Sequence, residues 1–254
     1  MGVRVPPLSH QKKVKTLCTY LGGSHLYGMN TASSDIDERG VFINTDPLYT
    51  FGFQEVKTKV VQTDERDSVM HELVQFLRLA TKSNTQTLEC LFAPRSSFVY
   101  LDSSFQEMIL NHRQEFLNTD QLFKSLEGYL HNEVRLALGE RQGRIGGKRK
   151  SQITAHGFSP KNFSHLFRLA ECGRQFFLTG VYPVRLADFN PALHELCMSV
   201  KQTPEQWEVS ELLEKANMLC DEMRNVYNSM KESDKFKPNL DYIRKTLKYF
   251  YHTP

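Results

Sequence analysis

Two aspartates, Asp35 and Asp37, stand directly before an apolar stretch and follow the pair Gly23-Ser24 after ten intervening residues. In a β-strand, residues i and i+2 point to the same face, so both carboxylates reach one site while Ile36 turns into the core. Two neighbouring carboxylates repel each other, and a bound cation removes that repulsion. Mg²⁺ suits such a pair because it takes oxygen ligands, usually one or two carboxylates together with substrate phosphate. The spacing therefore predicts a strand that presents a divalent-metal site.

The stretch SSDIDERG also has the Ser, Asp and Gly content of a surface turn, and this is the competing interpretation. Two neighbouring features favour the strand. The apolar run Val41-Phe42-Ile43 follows at once, as when a strand passes from a cleft into a core, and the Gly-Ser pair precedes the aspartates. We therefore expect a strand with Asp35 and Asp37 near its cleft end.

The first hundred residues alternate between strand and helix patterns. Strand patterns lie in three stretches: 14–21, 33–43 and 53–63. From Glu72 the apolar residues recur at i, i+3, i+4 and i+7, which predicts an amphipathic helix that ends near Asn84. A second helix is predicted over 87–92, before Pro94. Such alternation is typical of a small α/β or α+β unit.

After about residue 104 the strand patterns give way to helical ones, with glycine and proline between them. The helical stretches are 104–117, 119–140, 161–179 and 205–231. We therefore predict an α+β chain with a catalytic domain over residues 1–103 and a mainly helical domain over 104–254.

Composition excludes several classes of protein. No apolar run approaches the roughly 20 residues that span a bilayer, and the N-terminus lacks the apolar core of a secretory signal. We therefore expect a cytoplasmic protein with no membrane partner. The five cysteines form no CxxC pair, which argues against a zinc ribbon or thioredoxin-like chemistry. A formal net charge of +3 is too small to indicate nucleic-acid binding by itself.

The string GSHLYGMNTASSDIDERGVF resembles the DNA polymerase β-like nucleotidyltransferase superfamily, and is closer still to its branch associated with RNA repair. The resemblance continues through HELVQFLRLATKSNTQTLECLFAP and through PKNFSHLFRLAECGRQFFLTG. Thr85 stands where that branch typically has a proline. The resemblance implies a mixed sheet with flanking helices in the first domain. It also implies transfer of a nucleoside monophosphate from a nucleoside triphosphate to a hydroxyl acceptor, an RNA end among the candidates, with release of pyrophosphate.

Within this resemblance, Gly23 lets the backbone approach the triphosphate and Ser24 supplies a hydroxyl donor, although the same pair also suits a helix cap. Asp35 and Asp37 hold Mg²⁺, with Mn²⁺ as an alternative. A third carboxylate normally completes such a site from a neighbouring strand. We assign it to Asp67 as metal ligand and proton acceptor, and keep Glu72 as the alternative.

Positive charge for the triphosphate is expected from the helical half. Lys161, His165 and Arg168 have spacing i, i+4 and i+7, which places them on one face of a predicted helix. The alternative is an ordinary solvated basic face with a core histidine. The segment from Arg141 to Lys150 carries five positive charges, three glycines and no acidic residue. We expect a flexible loop that contacts the phosphates of an acceptor such as RNA, or else a plain connector.

Two other functions remain open at this point. One is a protein-modifying or toxin-like nucleotidyltransferase with the same fold. The other is a non-catalytic module that binds a nucleotide or nucleic acid, against which the intact Gly-Ser and Asp-x-Asp pattern argues. Neither the base preference nor the oligomeric state can be inferred from the residues.

Overall fold

The structure is a computed structural model that describes residues 14–32, 34–50, 52–54, 58–62, 66–140 and 147–252. The described strands are β1 (Val14–Leu21), β2 (Ile36–Asn44), β3 (Thr58–Gln62), β4 (Arg66–Glu72) and β5 (Phe98–Leu101). They form one sheet in the order β3-β4-β2-β1-β5. The β2–β4 pair is parallel, and the β1–β2, β1–β5 and β3–β4 pairs are antiparallel. The predicted mixed sheet is therefore confirmed.

The register between β2 and β4 positions the candidate site. Asp37 lies directly opposite Asp67, and Phe42 lies opposite Glu72 at the far end of the same pair. In a parallel pair, aligned residues point to the same face of the sheet. The two aspartates thus lie side by side, while Glu72 is five residues further along β4, roughly 17 Å away.

Two of the strands were not predicted from the sequence. Strand β4 contains only Val69 and Met70 as apolar residues, so its polar pattern does not suggest a strand. Strand β5 has four residues and follows a short 3₁₀ helix. Both form because neighbouring strands supply hydrogen-bonding edges, a factor that local patterns do not contain.

Four helices accompany the sheet: α1 (Gly23–Tyr27), α2 (Pro47–Thr50), α3 (Leu73–Ala80) and α4 (Thr85–Phe92). The apolar stripe predicted for α3 is buried as expected. Glu72 begins this helix, because its Oε2 accepts a hydrogen bond from the Val74 amide at 2.8 Å. Asn84 caps α4 in the same way through the Gln86 amide.

Beyond the sheet, the described residues are mainly helical, as predicted. Its helices are α5 (Ser103–Met108), α6 (Thr119–Ala137), α7 (Gly147–His156), α8 (Pro160–Thr179), α9 (Pro191–Gln202), α10 (Val209–Ser229) and α11 (Leu240–His252). The helices α7, α9 and α11 were not predicted. The prediction that the basic segment 141–150 forms a loop is partly wrong, because residues 147–150 begin α7. Positions 141–146 lie outside the described residues.

Helix α8 is the centre of the helical part and packs against α6, α9 and α10. Its close approach to α6 and α10 depends on Gly173. A Cβ there would lie 2.5 Å from Leu126 and 2.9 Å from the Met223 sulfur. Buried side chains of the sheet and of the helices form one continuous cluster. The division into domains at residue 103 remains a prediction.

Across the described ranges, no helix is both long and apolar enough to cross a membrane.

Candidate active site

The turn between β1 and α1 lies directly against Asp37. The Gly22 amide donates a hydrogen bond to the Asp37 carbonyl at 2.8 Å. Gly23 has a φ of +57°, and a Cβ built on it would lie 1.8 Å from Oδ2 of Asp37. Both the backbone conformation and the space at this position therefore require glycine. The result is a carboxylate held against the N-terminus of α1.

Ser24 lies inside α1, whose N-cap is Gly22. The alternative interpretation of Ser24 as a helix cap is therefore wrong. Ser24 lines a cleft of about 620 Å³ together with Gly23, Asp35 and Asp37. The structure thus brings the Gly-Ser turn and both aspartates to one opening.

The three predicted carboxylates occupy different environments. Asp35 precedes β2 and is exposed, whereas the side chains of Asp37 and Asp67 are 24% and 35% exposed. The expectation that Ile36 turns into the core is wrong, because this residue at the start of β2 is 49% exposed. Asp67 does not line the cleft. Its Oδ1 is nonetheless buried and has no hydrogen-bond partner among the described residues. An orphaned carboxylate oxygen beside a second carboxylate is the kind of donor that a cation satisfies.

Glu72, the alternative third carboxylate, is placed far from this group. It is fully buried, caps α3, and accepts a hydrogen bond from the Tyr251 hydroxyl. Burial, together with that hydrogen bond, raises the pKa of Tyr251 well above its usual value. The structural role of Glu72 explains why an acidic residue stands there.

Arg39 is a site residue that the sequence analysis missed. It lies on β2 two residues after Asp37, so it shares that face of the sheet. Its Nη2 is 3.1 Å from Oδ1 of Asp37 and 3.8 Å from Oδ2 of Asp67. The i, i+2 spacing that joined the two aspartates also includes Arg39, so the signal was available in DIDER.

The donor set fits a divalent cation, with one rearrangement. Where the chain is described, no three His, Cys, Asp or Glu side chains are already arranged around a metal position. Arg39 lies between Asp37 and Asp67, and Asp35 points to solvent at the strand end. Oxygen ligands from two adjacent carboxylates, one with a free buried oxygen, match the preference of Mg²⁺ once the guanidinium moves.

Three helices bring cations to the same cleft. Arg149 comes from α7, Lys161 from the first turn of α8 and Lys201 from α9. Lys201 donates a hydrogen bond to the Met29 carbonyl, and burial together with nearby Lys161 lowers its pKa. Lys161 was predicted as a triphosphate contact, and Arg149 belongs to the basic segment that was expected to contact an acceptor; Lys201 was not predicted. Nothing in the local sequence distinguishes Lys201, because α9 itself was not recognised.

His165 and Arg168 do not line the cleft. Helix α8 runs from the cleft rim into the core, and Arg168 lies about 10 Å further along its axis than Lys161. Arg168 is fully buried, pairs with Glu89 at 3.2 Å and stacks over the Tyr27 ring at 3.5 Å. The prediction that it contacts a triphosphate therefore does not match its position.

Burial determines the charge of His165. Its ring lies near the rings of Tyr27 and Tyr129, at centroid distances of 6.4 and 6.3 Å. Desolvation, reinforced by the positive charges of Arg168 and Lys161, lowers its pKa to about 3. His165 is neutral at physiological pH and packs behind Tyr27, whose hydroxyl donates to Glu89 at 2.7 Å. This matches the core-histidine alternative.

Comparison with known proteins agrees with the motif that lines the cleft. No curated protein matches this chain. A solved nucleotidyltransferase-like protein from Exiguobacterium sibiricum 255-15 matches 92% of this chain and 74% of its own, at 10% identity. Its TM-score of 0.28 is too low to bear on the fold. A family model described as RlaP, the RNA repair pathway DNA polymerase beta family, matches residues 3–247. With nearly all of its length matched, the chain belongs to the RNA repair pathway DNA polymerase β family.

Proposed function

We propose that this chain is a metal-dependent nucleotidyltransferase that moves a nucleoside monophosphate from a nucleoside triphosphate to a hydroxyl acceptor. Membership of a polymerase β family suggests nucleotidyl transfer in general terms. One observation carries the specific proposal: a single cleft is lined by Asp35, Asp37 and the Gly23 turn and also by cations from three helices. A nucleoside triphosphate with its metal needs both kinds of group.

The cations that line the cleft support binding of the triphosphate. Arg149, Lys161 and Lys201 converge from three helices, and Ser159 and Pro160 bring the N-terminus of α8 to the same opening. A helix N-terminus carries partial positive charge, which favours phosphate. Gly23 and Ser24 of the same cleft offer amide and hydroxyl donors. Together these groups would hold the phosphates.

Asp35, Asp37 and Asp67 are the residues that would hold Mg²⁺ or Mn²⁺. When bound, such a cation neutralises phosphate oxygens and lowers the pKa of the attacking hydroxyl. In the transfer, the acceptor oxygen forms a bond to the α-phosphorus, and the bond from that phosphorus to the bridging oxygen breaks to release pyrophosphate. Asp67 takes the hydroxyl proton on the carboxylate oxygen that the cation leaves free.

An RNA end is the acceptor that we propose. The family description names RNA repair. Helix α7 adds Arg149 at the cleft and exposed Lys150 beside it, a basic approach for a phosphate backbone. Residues 141–146 of the basic segment lie outside the described residues, so only its end at 147–150 contributes to this argument.

The test is transfer of label from each α-labelled nucleoside triphosphate, with Mg²⁺, to RNA, to protein or to no acceptor. We expect labelled RNA and released pyrophosphate, both lost by at least about 100-fold in Asp37→Asn. Asp241→Asn, a matched change at an exposed residue of α11, is the control and should retain activity. Label on protein would support the protein-modifying alternative. Triphosphate binding without pyrophosphate release for any acceptor would contradict an enzymatic function.

A further inference from the structure

Arg39 occupies the space that a metal ion shared by Asp37 and Asp67 would need. Its guanidinium is 3.1 Å from one carboxylate and 3.8 Å from the other. All three side chains are mostly shielded, with exposures of 20%, 24% and 35%, so solvent screens their attraction only in part. Without a metal, this single guanidinium neutralises much of the repulsion between the two carboxylates.

The stem of Arg39 anchors the guanidinium beside the predicted phosphate turn. A Cβ on Gly22 would lie 2.7 Å from Cγ of Arg39, so this stem packs directly on the backbone that leads into Gly23. The charged end is therefore tethered between the Gly22–Ser24 turn and the carboxylates. A guanidinium fork matches the geometry of either a carboxylate or a phosphate. A rotation of the outer torsions thus moves the charge from one kind of partner to the other.

A guanidinium and a divalent cation repel each other, so they compete for a position between Asp37 and Asp67. We propose that Arg39 is a resident counter-ion that competes with the divalent cation for Asp37 and Asp67 and transfers to the phosphates when metal and nucleotide enter together. This inference rests on the proposed function, because that function assigns both aspartates as metal ligands. It adds a role for Arg39 that makes metal binding depend on the nucleotide.

The competition has a measurable thermodynamic consequence. A metal that enters alone must displace Arg39 without giving it a new partner, so the affinity for metal alone is low. With a triphosphate present, the guanidinium gains phosphate oxygens and the affinity for metal rises. Because such coupling is reciprocal, metal raises the affinity for nucleotide by the same factor. Removing the guanidinium therefore strengthens binding of metal alone and weakens the coupling.

The test measures binding of Mn²⁺ to the full chain by electron paramagnetic resonance of the free ion. Titrations are run with and without an α,β-methylene nucleoside triphosphate, which cannot be cleaved between those phosphates. We expect Arg39→Gln to bind Mn²⁺ alone about tenfold more tightly than the wild type. The free energy of this change is a modest part of the interaction energy between two charges about 4 Å apart. We expect the nucleotide to increase Mn²⁺ affinity less in Arg39→Gln than in the wild type.

Two variants separate this effect from a general loss of charge or structure. Arg244→Gln removes an exposed arginine of α11, which has no part in the cleft, and should leave Mn²⁺ affinity unchanged. Arg39→Lys keeps the charge and should bind Mn²⁺ close to the wild-type value. Circular dichroism of each variant confirms that the fold is retained.

The outcomes distinguish this inference from the function on which it rests. If Asp37→Asn binds Mn²⁺ as the wild type does, Asp37 is not a ligand, and the metal site and this inference fail together. If Mn²⁺ binding requires Asp37 but is unchanged or weaker in Arg39→Gln, the competition alone is refuted. Tighter binding in Arg39→Gln, with Arg39→Lys near wild type, supports it.

Discussion

Near the cleft, the position of a residue in the fold determines whether its side chain is charged. His165 and Arg168 share one helix face with Lys161, yet only Lys161 lines the cleft. Burial keeps His165 neutral by lowering its pKa to about 3. Arg168 keeps its charge in the interior because Glu89 and the Tyr27 ring are in contact with it. One helix face thus places a cation at the cleft in its first turn and packs basic side chains in the core in the next turns.

The low pKa of His165 predicts a specific loss of stability in acid. Above pH 6.5 neither state binds the proton, whereas between about 6.5 and 3 only the unfolded chain does, so stability falls as pH falls. Between pH 7 and 5 we expect the wild type to lose about 2 kcal/mol more of its free energy of unfolding than His165→Gln. Urea denaturation at both pH values measures this difference. Equal losses in the two proteins would show that folded His165 binds the proton in this range.

Among the helices, α8 depends on close contact with its neighbours. Gly173 faces Leu126 of α6 and Met223 of α10 at distances that leave no room for a side chain. By contrast, a Cβ added to Gly128, inside α6, would have no neighbouring atom within 4 Å. The two glycines occupy similar helical positions but have opposite packing environments.

These environments predict opposite effects of one substitution. Gly173→Ala should lower the free energy of unfolding by about 1–3 kcal/mol, because the added methyl group forces the Leu126 and Met223 side chains out of their packed positions. Gly128→Ala should raise it by about 0.5–1 kcal/mol, because alanine favours the helix and meets no neighbour. Urea denaturation of both variants tests the pair. If Gly173→Ala is as stable as Gly128→Ala, the tight contact between the three helices is not present.

At the scale of the whole molecule, a buried ion pair joins the sheet-containing part to the helical part. Glu89 is on α4 and Arg168 is on α8, and both contact Tyr27 at the floor of the cleft. Two further Arg168 nitrogens are buried without hydrogen-bond partners in the described structure. A pair of this kind stabilises the fold mainly by preventing an uncompensated buried charge.

A double-mutant cycle tests this pair. Arg168→Leu and Glu89→Leu should each cost about 3–5 kcal/mol, because each leaves one buried charge alone. The double variant should cost clearly less than the sum of the two. Chemical denaturation of the four proteins provides the energies. Additive costs would mean that the two charges do not depend on each other.

Much of the chain was predictable because its signals are local. The strand at 14–21 follows from a short stretch typical of a buried strand, and the buried stripe of α3 and the helical second half follow from a period of 3.6 residues. Strand β4 was missed because its polar residues have no such period. Helix α7 was mistaken for a loop because glycine and charge dominate its first turn.

The sequence by itself determined the Gly-Ser turn, the Asp35–Asp37 spacing and the strand behind them, because neighbouring residues constrain one another through local geometry. Tertiary structure alone decided which other groups join them. The parallel register of β2 and β4 places Asp67 beside Asp37, and helix packing places Lys201 at the cleft. Such choices depend on contacts between residues distant in the chain, and spacing along the sequence carries no measure of those contacts.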